Sequence, residues 1–222
     1  MRRGAGTEDE AGRGGLGAGA ALIELPEPMA EGGLPLWQVL AARRSVRHYG
    51  DKPMTLATLS QLIWSTHGIT GRVGQRNLQN APSAGACYPI DVYVVVNNVK
   101  ALEPGLYRYV PGDHALMLMR AGDVGSEAAK AALGQSMCRA ASVTFLWTAV
   151  LPRTTGRYGE RGQRYVFLDA GHVGQNMYLA ATALGCGCCT IGAFDDAAMN
   201  RLIGIDGTVE TTVYGASVGP ME

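Results

Sequence analysis

Residues 164–185 read RYVFLDAGHVGQNMYLAATALG, and this stretch is the most regular segment of the chain. Its larger apolar side chains recur at the three- and four-residue spacing of a helix. Alanine and glycine fill many of the other positions. The pattern therefore predicts a long helix that is buried on most sides, either in the core or at a contact between subunits. The positions that carry the period are Val173, Met177, Ala180, Ala181 and Leu184.

Shorter helices and well-separated strands surround this segment. A helix over residues 35–44 would place Leu36, Val39 and Leu40 on one face. The other predicted elements are a helix over 55–67 with Thr55 as its N-cap, a helix over 124–138, strands over 91–96, 142–150 and 209–218, and a hairpin of 105–110 with 115–120. This irregular order predicts an α+β sandwich rather than an alternating parallel sheet.

The composition excludes several classes of protein. With 47% hydrophobic and 17% charged residues, the 222 residues suit a globular chain. The 19 basic residues balance the 19 acidic ones, and no apolar run could span a bilayer, so we expect neither nucleic acid nor membrane as a partner. Five cysteines, an odd number, do not suggest a disulfide framework and favour the cytoplasm.

Residues 1–21 are dominated by glycine, alanine and charge. Such a segment cannot bury enough apolar surface to offset the entropy of ordering it, so we predict a flexible tail followed by a domain over 22–222. Residues 15–20 fit the dinucleotide fingerprint G-x-G-x-x-A, but neither the preceding strand nor the following helix is evident. No continuous apolar segment indicates a signal peptide.

The first candidate site is RRSVR, residues 43–47, at the end of the first predicted helix. Arg43, Arg44 and Arg47 carry forked, permanently charged donors that match phosphate oxygens, and Ser45 adds a hydroxyl. The alternative is a helix C-terminus at which cations complement the helix dipole.

The second candidate site is APSAGACYP, residues 81–89, which leads into the 91–96 strand. Small residues and two prolines predict a rigid loop whose backbone can approach a flat ligand, and Ser83 could donate a hydrogen bond to it. A tight turn before a strand is the alternative.

The third candidate site is IGAFDD, residues 191–196, beyond the end of the long helix. No bulky side chain shields the amides of Gly192 and Ala193, which could therefore point at a ring nitrogen. Read alone, the segment is a turn.

These segments together resemble the nitroreductase superfamily, and within it the SagB-type (thiazole/oxazole-forming) dehydrogenase branch. The resemblance extends from about Ile23 to Pro220. It is carried by LAARRSVRHY (40–49), APSAGACYPIDVYVV (81–95), GLYRYVPGDHAL (105–116), RYVFLDAGHVGQNMYLAATALG (164–185) and IGAFDD (191–196).

The resemblance implies an α-β-α sandwich with a central mixed sheet, a homodimer with FMN at the subunit interface, and hydride transfer through flavin N5. NAD(P)H would be the donor, and a small molecule or a peptide the substrate. It implies FMN contacts for Arg43, Arg44, Ser45 and Arg47, for Pro82, Ser83, Ala84 and Gly85, and for Ile191, Gly192 and Ala193.

Two departures from the pattern affect these expectations. The Lys/Arg pair that members carry near the C-terminus is missing, which would leave phosphate binding to Arg43 and Arg47. The Lys-Tyr pair of azoline dehydrogenases aligns with Arg157-Tyr158. Arginine stays protonated and cannot serve as a base, whereas Tyr158 could act as an acid, so Tyr158 is the candidate catalytic residue.

The residues are also compatible with other functions. A peptide azoline dehydrogenase would use the same fold, and a flavin-binding scaffold or sensor would bind FMN without turnover. A metal site at Cys186, Cys188 and Cys189 is the weakest alternative, because C-x-C-C is not a zinc or thiol-redox spacing and packing explains these residues better.

Overall fold

The computed structural model describes residues 22–222. The predicted tail and its G-x-G-x-x-A segment, residues 15–20, lie outside the described residues. No helix within the described range is both long and apolar enough to cross a membrane.

A seven-stranded sheet with the order β1-β6-β5-β4-β7-β9-β8 forms the centre of the molecule. Its strands are β1 (Leu22–Glu24), β4 (Ile90–Val96), β5 (Gly105–Val110), β6 (Ala115–Ala121), β7 (Val143–Val150), β8 (Cys186–Ile191) and β9 (Glu210–Pro220). A separate hairpin pairs β2 (Ile69–Val73) with β3 (Arg76–Gln79).

The expected mixed sheet is wrong in one respect, because neighbouring strands of the main sheet are antiparallel throughout. A parallel neighbour would require a crossover that returns the chain beside the strand it left. The connection after β7 instead carries the chain to the sheet edge, where β8 pairs with β9. Parallel pairing occurs only as isolated bridges within the described residues, for example between Ser45 and Cys188.

Helices cover both faces of this sheet, which confirms the α+β sandwich. They are α1 (Leu36–Ala42), α2 (Leu56–His67), α3 (Gly125–Ala131), α4 (Met137–Ala140), α5 (Leu151–Tyr158), α6 (Arg161–Ala183) and α7 (Asp196–Ile203). Thr55 caps α2 as predicted, because its side chain accepts a hydrogen bond from the Thr58 amide at 3.0 Å. The single helix predicted over 124–138 is wrong: Leu133 and Gly134 adopt positive φ and separate α3 from α4.

Alternation along β4 explains the two cores. Successive strand residues point to opposite faces of the sheet. Val92, Val94 and Val96 therefore join α2 and α6 in one cluster, whereas Tyr93 and Val95 join α3 and α7 in the other.

One part of the surface is more apolar than predicted. Val39 is buried, but Leu36 and Leu40 on the same short helix are exposed, and the neighbouring Trp37 is 78% exposed.

The long helix α6 confirms the prediction in length, yet it is not buried on most sides of the single chain. Phe167 and Leu168 on its outer side are exposed.

Candidate active site

The arginine segment, residues 43–47, lies alongside β8. Ser45 forms a parallel bridge with Cys188, and the Val46 amide donates to the Cys188 carbonyl at 2.8 Å. The first and third candidate sites are thus neighbours, because β8 leads directly into residues 191–196.

Tyr178 on α6 joins these two segments. Its hydroxyl lies 2.8 Å from the Ser45 hydroxyl and 3.2 Å from the Thr190 hydroxyl, and it accepts from the Thr190 amide at 3.1 Å. The Arg43 guanidinium lies 5.0 Å from the centre of the Tyr178 ring, within cation–π range. Tyr178 therefore fixes the arginine segment against the end of β8, a role that its place in a helical period does not reveal.

The three arginines differ in their contacts. Arg44 is exposed and donates to the carbonyls of Ala41 and Arg43, so the helix-end alternative applies to it. Arg43 is half-buried and Arg47 is exposed. None of the three forms a salt bridge with another residue of 22–222, since the ion pairs there involve other side chains. The segment thus offers guanidinium groups to an external anion.

The 81–89 loop is attached to the same long helix. Ser83 donates its hydroxyl proton to the Asp169 carboxylate at 2.6 Å, and the Ala84 amide donates to the other carboxylate oxygen at 3.1 Å. The Tyr88 amide donates in turn to Ser83 Oγ at 2.9 Å. Ser83 was expected to donate to a ligand, but its proton is committed to Asp169. Its neighbour Pro82 is exposed.

Helix α5 approaches the loop from another direction. Arg157 Nη1 donates to the Gly85 carbonyl at 2.9 Å. A Cβ atom on Gly85 would lie 2.3 Å from the Tyr158 hydroxyl oxygen, so the tyrosine needs the space that glycine leaves. The ring of Tyr165 on α6 packs edge-on against Tyr158, with 4.9 Å between ring centres. The structure thus brings the predicted Tyr158 to the predicted loop.

Residues 191–193 continue from β8. Ile191 is buried in the sheet, whereas Gly192 and Ala193 are exposed beyond its end. Gln135 Nε2 donates to the Ala193 carbonyl at 2.7 Å, which fixes the peptide that follows. The exposed backbone at this point is open to a ligand.

An ion cluster anchors α5 beside the loop. Asp91 accepts from Arg153 at 2.5 Å and from Arg108 at 3.0 Å, and Arg153 also donates to the Tyr88 carbonyl. Burial alone would raise the pKa of Asp91, but the two guanidinium groups outweigh it and lower that pKa.

A fully buried histidine lies beneath the loop. Burial lowers the pKa of His67 to about 4, so the ring is neutral near pH 7. Its Nδ1 atom has no hydrogen-bonding partner in the described chain. His67, Ser83 and Asp169 together line a cavity of about 10 Å³.

The three cysteines of β8 are buried, and burial raises the pKa of Cys186 to about 11. The Cys186 thiol is therefore a packing group rather than a nucleophile or metal ligand. Among residues 22–222, no group of histidine, cysteine and carboxylate side chains is arranged to hold a metal ion.

The candidate segments thus form two groups held by one helix. Asp169 holds the 81–89 loop, and Tyr178 holds the arginine segment and the end of β8. These two positions are nine residues apart on α6, about 13 Å along the helix axis.

The nitroreductase family model matches residues 40–220, and the chain belongs to the nitroreductase family. A Methanocaldococcus jannaschii protein that is named as a nitroreductase is 41% identical over 172 residues, which are 78% of this chain and 85% of that protein. A structure from Anabaena variabilis, also described as a nitroreductase, matches with a TM-score of 0.79 at 30% identity. That match covers 91% of this chain but only 42% of the Anabaena chain.

Two further similarities are to a trifolitoxin-processing protein and to a protein solved with FMN. The trifolitoxin-processing protein TfxB of Rhizobium leguminosarum bv. trifolii is 32% identical over 117 residues, which are 50% of this chain and 31% of TfxB. A Desulfovibrio desulfuricans protein solved in complex with FMN shares the fold, with a TM-score of 0.59 at 18% identity. The match covers 86% of this chain and 89% of that one.

Proposed function

We propose that this chain is an FMN-dependent oxidoreductase in which residues 22–222 form the cofactor-binding domain. The observation that carries the proposal is the contact of Tyr178 with Ser45 and Thr190, which brings the arginine segment to the exposed backbone that follows Ile191. Cationic donors beside exposed backbone amides suit a phosphate-bearing ligand with a flat ring. The Desulfovibrio protein of the same fold binds FMN.

The donor chemistry fits the phosphate of FMN. Arg43 and Arg47 are the proposed main anchors, because Arg44 already donates to two backbone carbonyls. Ser45 would contact the sugar chain of the cofactor. Guanidinium forks bind phosphate oxygens through paired, charge-assisted hydrogen bonds.

The remaining site residues would surround the ring. Pro82, Ala84 and Gly85 would line it from the 81–89 loop, and the amides of Gly192 and Ala193 would stabilise negative charge on it. Bound FMN supplies two-electron hydride chemistry at its N5 atom. Tyr158, held beside Gly85, is the proposed proton donor to the substrate.

The exposed apolar side chains support a homodimer. Phe167 and Leu168 on the outer side of α6 are 63% and 56% exposed, and Trp37 on α1 is 78% exposed. Exposed apolar side chains of this size suit an interaction site. A second copy that packs on α6 would cover the helix that also holds both halves of the site.

NAD(P)H is the proposed donor, and the cytoplasm the proposed location. The five cysteines, all of them free thiols, suit a reducing compartment.

A second candidate is azoline oxidation on a peptide, as in the SagB-type branch. It is favoured by the similarity to the trifolitoxin-processing protein and by the position of Tyr158 beside the loop. Arg157 counts against it, because its guanidinium cannot accept the proton that a lysine could. Oxidation of an azoline-bearing peptide, abolished by Tyr158→Phe, would favour this candidate.

The proposed function is tested by anaerobic titration of the FMN-loaded protein with NADH and with NADPH. We expect at least one donor to bleach the flavin, and a quinone or nitroaromatic compound to restore its colour. Bound FMN that neither nicotinamide nor dithionite reduces would contradict the enzyme and favour a scaffold or sensor.

A further inference from the structure

Asp169 is a buried carboxylate with no cationic partner among residues 22–222. It lies in the middle of α6, is 4% exposed, and takes part in none of the salt bridges within residues 22–222. Burying an unpaired charge is unfavourable unless hydrogen bonds compensate for the lost water. Both partners that supply those hydrogen bonds, the Ser83 hydroxyl and the Ala84 amide, belong to the 81–89 loop.

The loop that Asp169 holds is conformationally strained. Gly85, Ala86 and Tyr88 have φ values of +61°, +52° and +43°. The left-handed region is unfavourable for alanine and tyrosine, so neighbouring groups must stabilise this conformation. Asp169 does so on one side of the loop, while Arg153 and Arg157 donate to the Tyr88 and Gly85 carbonyls.

We propose that Asp169 is a positioning residue that holds the 81–89 loop in the shape that receives the flavin. This assignment rests on the proposed function. The carboxylate fixes the direction of the Ser83 hydroxyl, which leaves Ser83 Oγ free to accept from the Tyr88 amide. A single chain of hydrogen bonds therefore sets both ends of the strained segment.

Asparagine is a weaker substitute for this carboxylate. Ser83 and Ala84 both present donors, and the carboxylate accepts them with two oxygens. An asparagine side chain is uncharged and has one oxygen, which both donors would have to share, as they now share Oδ2 at 2.6 and 3.3 Å. If the amide nitrogen faces Ser83 instead, it donates to a hydroxyl oxygen that already accepts from the Tyr88 amide. Ser83→Thr keeps the hydroxyl, whereas Ser83→Ala removes it.

The first experiment measures the dissociation constant of FMN for the full chain carrying Asp169→Asn, Ser83→Ala, Ser83→Thr or the first two together. We expect Asp169→Asn to weaken FMN binding by about tenfold or more. Ser83→Ala should weaken it in the same direction, and Ser83→Thr should restore it. The double variant should bind FMN about as weakly as Asp169→Asn alone, because the two changes remove the same hydrogen bond between Ser83 and Asp169.

The second experiment separates positioning from general stability. Asn97→Ala is the matched control, because Asn97 Nδ2 donates to the carbonyls of Cys138 and Ala141 and the side chain forms no hydrogen bond with the loop. It should lower the unfolding midpoint of the flavin-free protein without changing FMN affinity. The visible circular dichroism of FMN at saturation should change in Asp169→Asn and stay unchanged in Asn97→Ala.

If the wild-type protein binds FMN, three results would contradict the assignment. One is Asp169→Asn with wild-type FMN affinity and wild-type circular dichroism. Another is an equal loss of FMN affinity in Asn97→Ala, which would show that the loss in Asp169→Asn follows from lower stability of the protein. If Asp169→Asn does not fold, equal affinities for Ser83→Ala and Ser83→Thr would overturn it. A wild-type protein that takes up no FMN would contradict the proposed function itself, and the assignment with it.

Discussion

The hydroxyl of Tyr178 lies 2.8 Å from the hydroxyl of Ser45, although 133 positions separate them in the sequence. This contact, with those of Tyr178 to Thr190, joins the arginine segment to the strand that ends at the exposed amides. The long helix therefore organises the proposed phosphate end of the site as well as the loop end.

Replacing Tyr178 with phenylalanine tests that contact. Tyr178→Phe keeps the ring under Arg43 but leaves Ser45 and the Thr190 amide without their partner. We expect FMN affinity to fall by about tenfold or more, because each hydrogen bond lost in a partly buried site contributes about 1 kcal/mol. Isothermal titration with FMN measures it.

Tyr107→Phe is the matched control for this change. Tyr107 donates its hydroxyl to a single partner, the Glu103 carbonyl at 2.8 Å, and forms no hydrogen bond with the candidate segments. Equal FMN affinities for wild type and Tyr178→Phe would show that the contact does not support cofactor binding.

The space at Gly85 is a second testable feature. In Gly85→Ala the new methyl group would lie 2.3 Å from the Tyr158 oxygen, so the tyrosine must move away. We expect kcat to fall by about tenfold or more, in the range that general acids contribute, with a smaller change in FMN affinity. Gly74→Ala is the control, because Gly74 has the same φ of +61° but a methyl group added there would have no atom within 4 Å. If kcat falls as much in Gly74→Ala as in Gly85→Ala, the loss comes from backbone strain and not from displacement of Tyr158.

The buried His67 predicts a pH dependence of stability. Its pKa is lowered from 6.5 to about 4 in the native state, so the unfolded chain binds a proton more readily between these values. Stability is therefore retained above pH 6.5 and declines by about 3 kcal/mol as the pH falls to 4. Asp91, whose pKa is also lowered, adds a loss only at still lower pH.

Denaturant unfolding of the flavin-free protein at a series of pH values measures this slope. His67→Gln should flatten it, and His48→Gln, at an exposed position, should leave it unchanged. A slope that persists in His67→Gln would assign the pH dependence to another group.

The apolar side of α6 predicts the oligomeric state. Phe167→Glu would place a charge in the proposed interface, and we expect the dimer to dissociate and FMN to be released with it. Sedimentation velocity with flavin absorbance follows both. Leu133→Glu is the control, because Leu133 is also exposed, at 66%, but lies in the turn between α3 and α4. A wild-type protein that sediments as a monomer with FMN bound would contradict the interface.

The sequence predicted those parts of the fold that have a regular period or a distinctive turn. The long helix carries a helical repeat, and residues 111–114 mark the hairpin between β5 and β6. Strand β8 was missed because it is buried on both faces and reads CGCCTI, which has no alternation of polar and apolar residues. Helix α7 was not predicted either, although the sequence indicates both of its ends. Asp195 caps its start, and Gly204 ends it in the left-handed conformation.

The candidate site was predicted in its segments but not in its connections. The composition of 43–47 and 81–89 indicates donors and a rigid backbone. Asp169 and Tyr178, however, occupy ordinary positions of a helical repeat, and only the folded chain shows what they contact. For the same reason the sequence predicts that the Ser83 hydroxyl donates a hydrogen bond to a ligand, whereas in the structure it donates to Asp169.

The central claim is that the arginine segment binds FMN, and the flavin content of the purified protein tests it most directly. We expect a yellow protein that releases FMN on denaturation, with the flavin lost in Arg47→Ala and retained in Arg201→Ala, a change at an exposed arginine on α7. A colourless wild-type protein that takes up no added FMN, or an Arg47→Ala variant with undiminished flavin, would contradict the account.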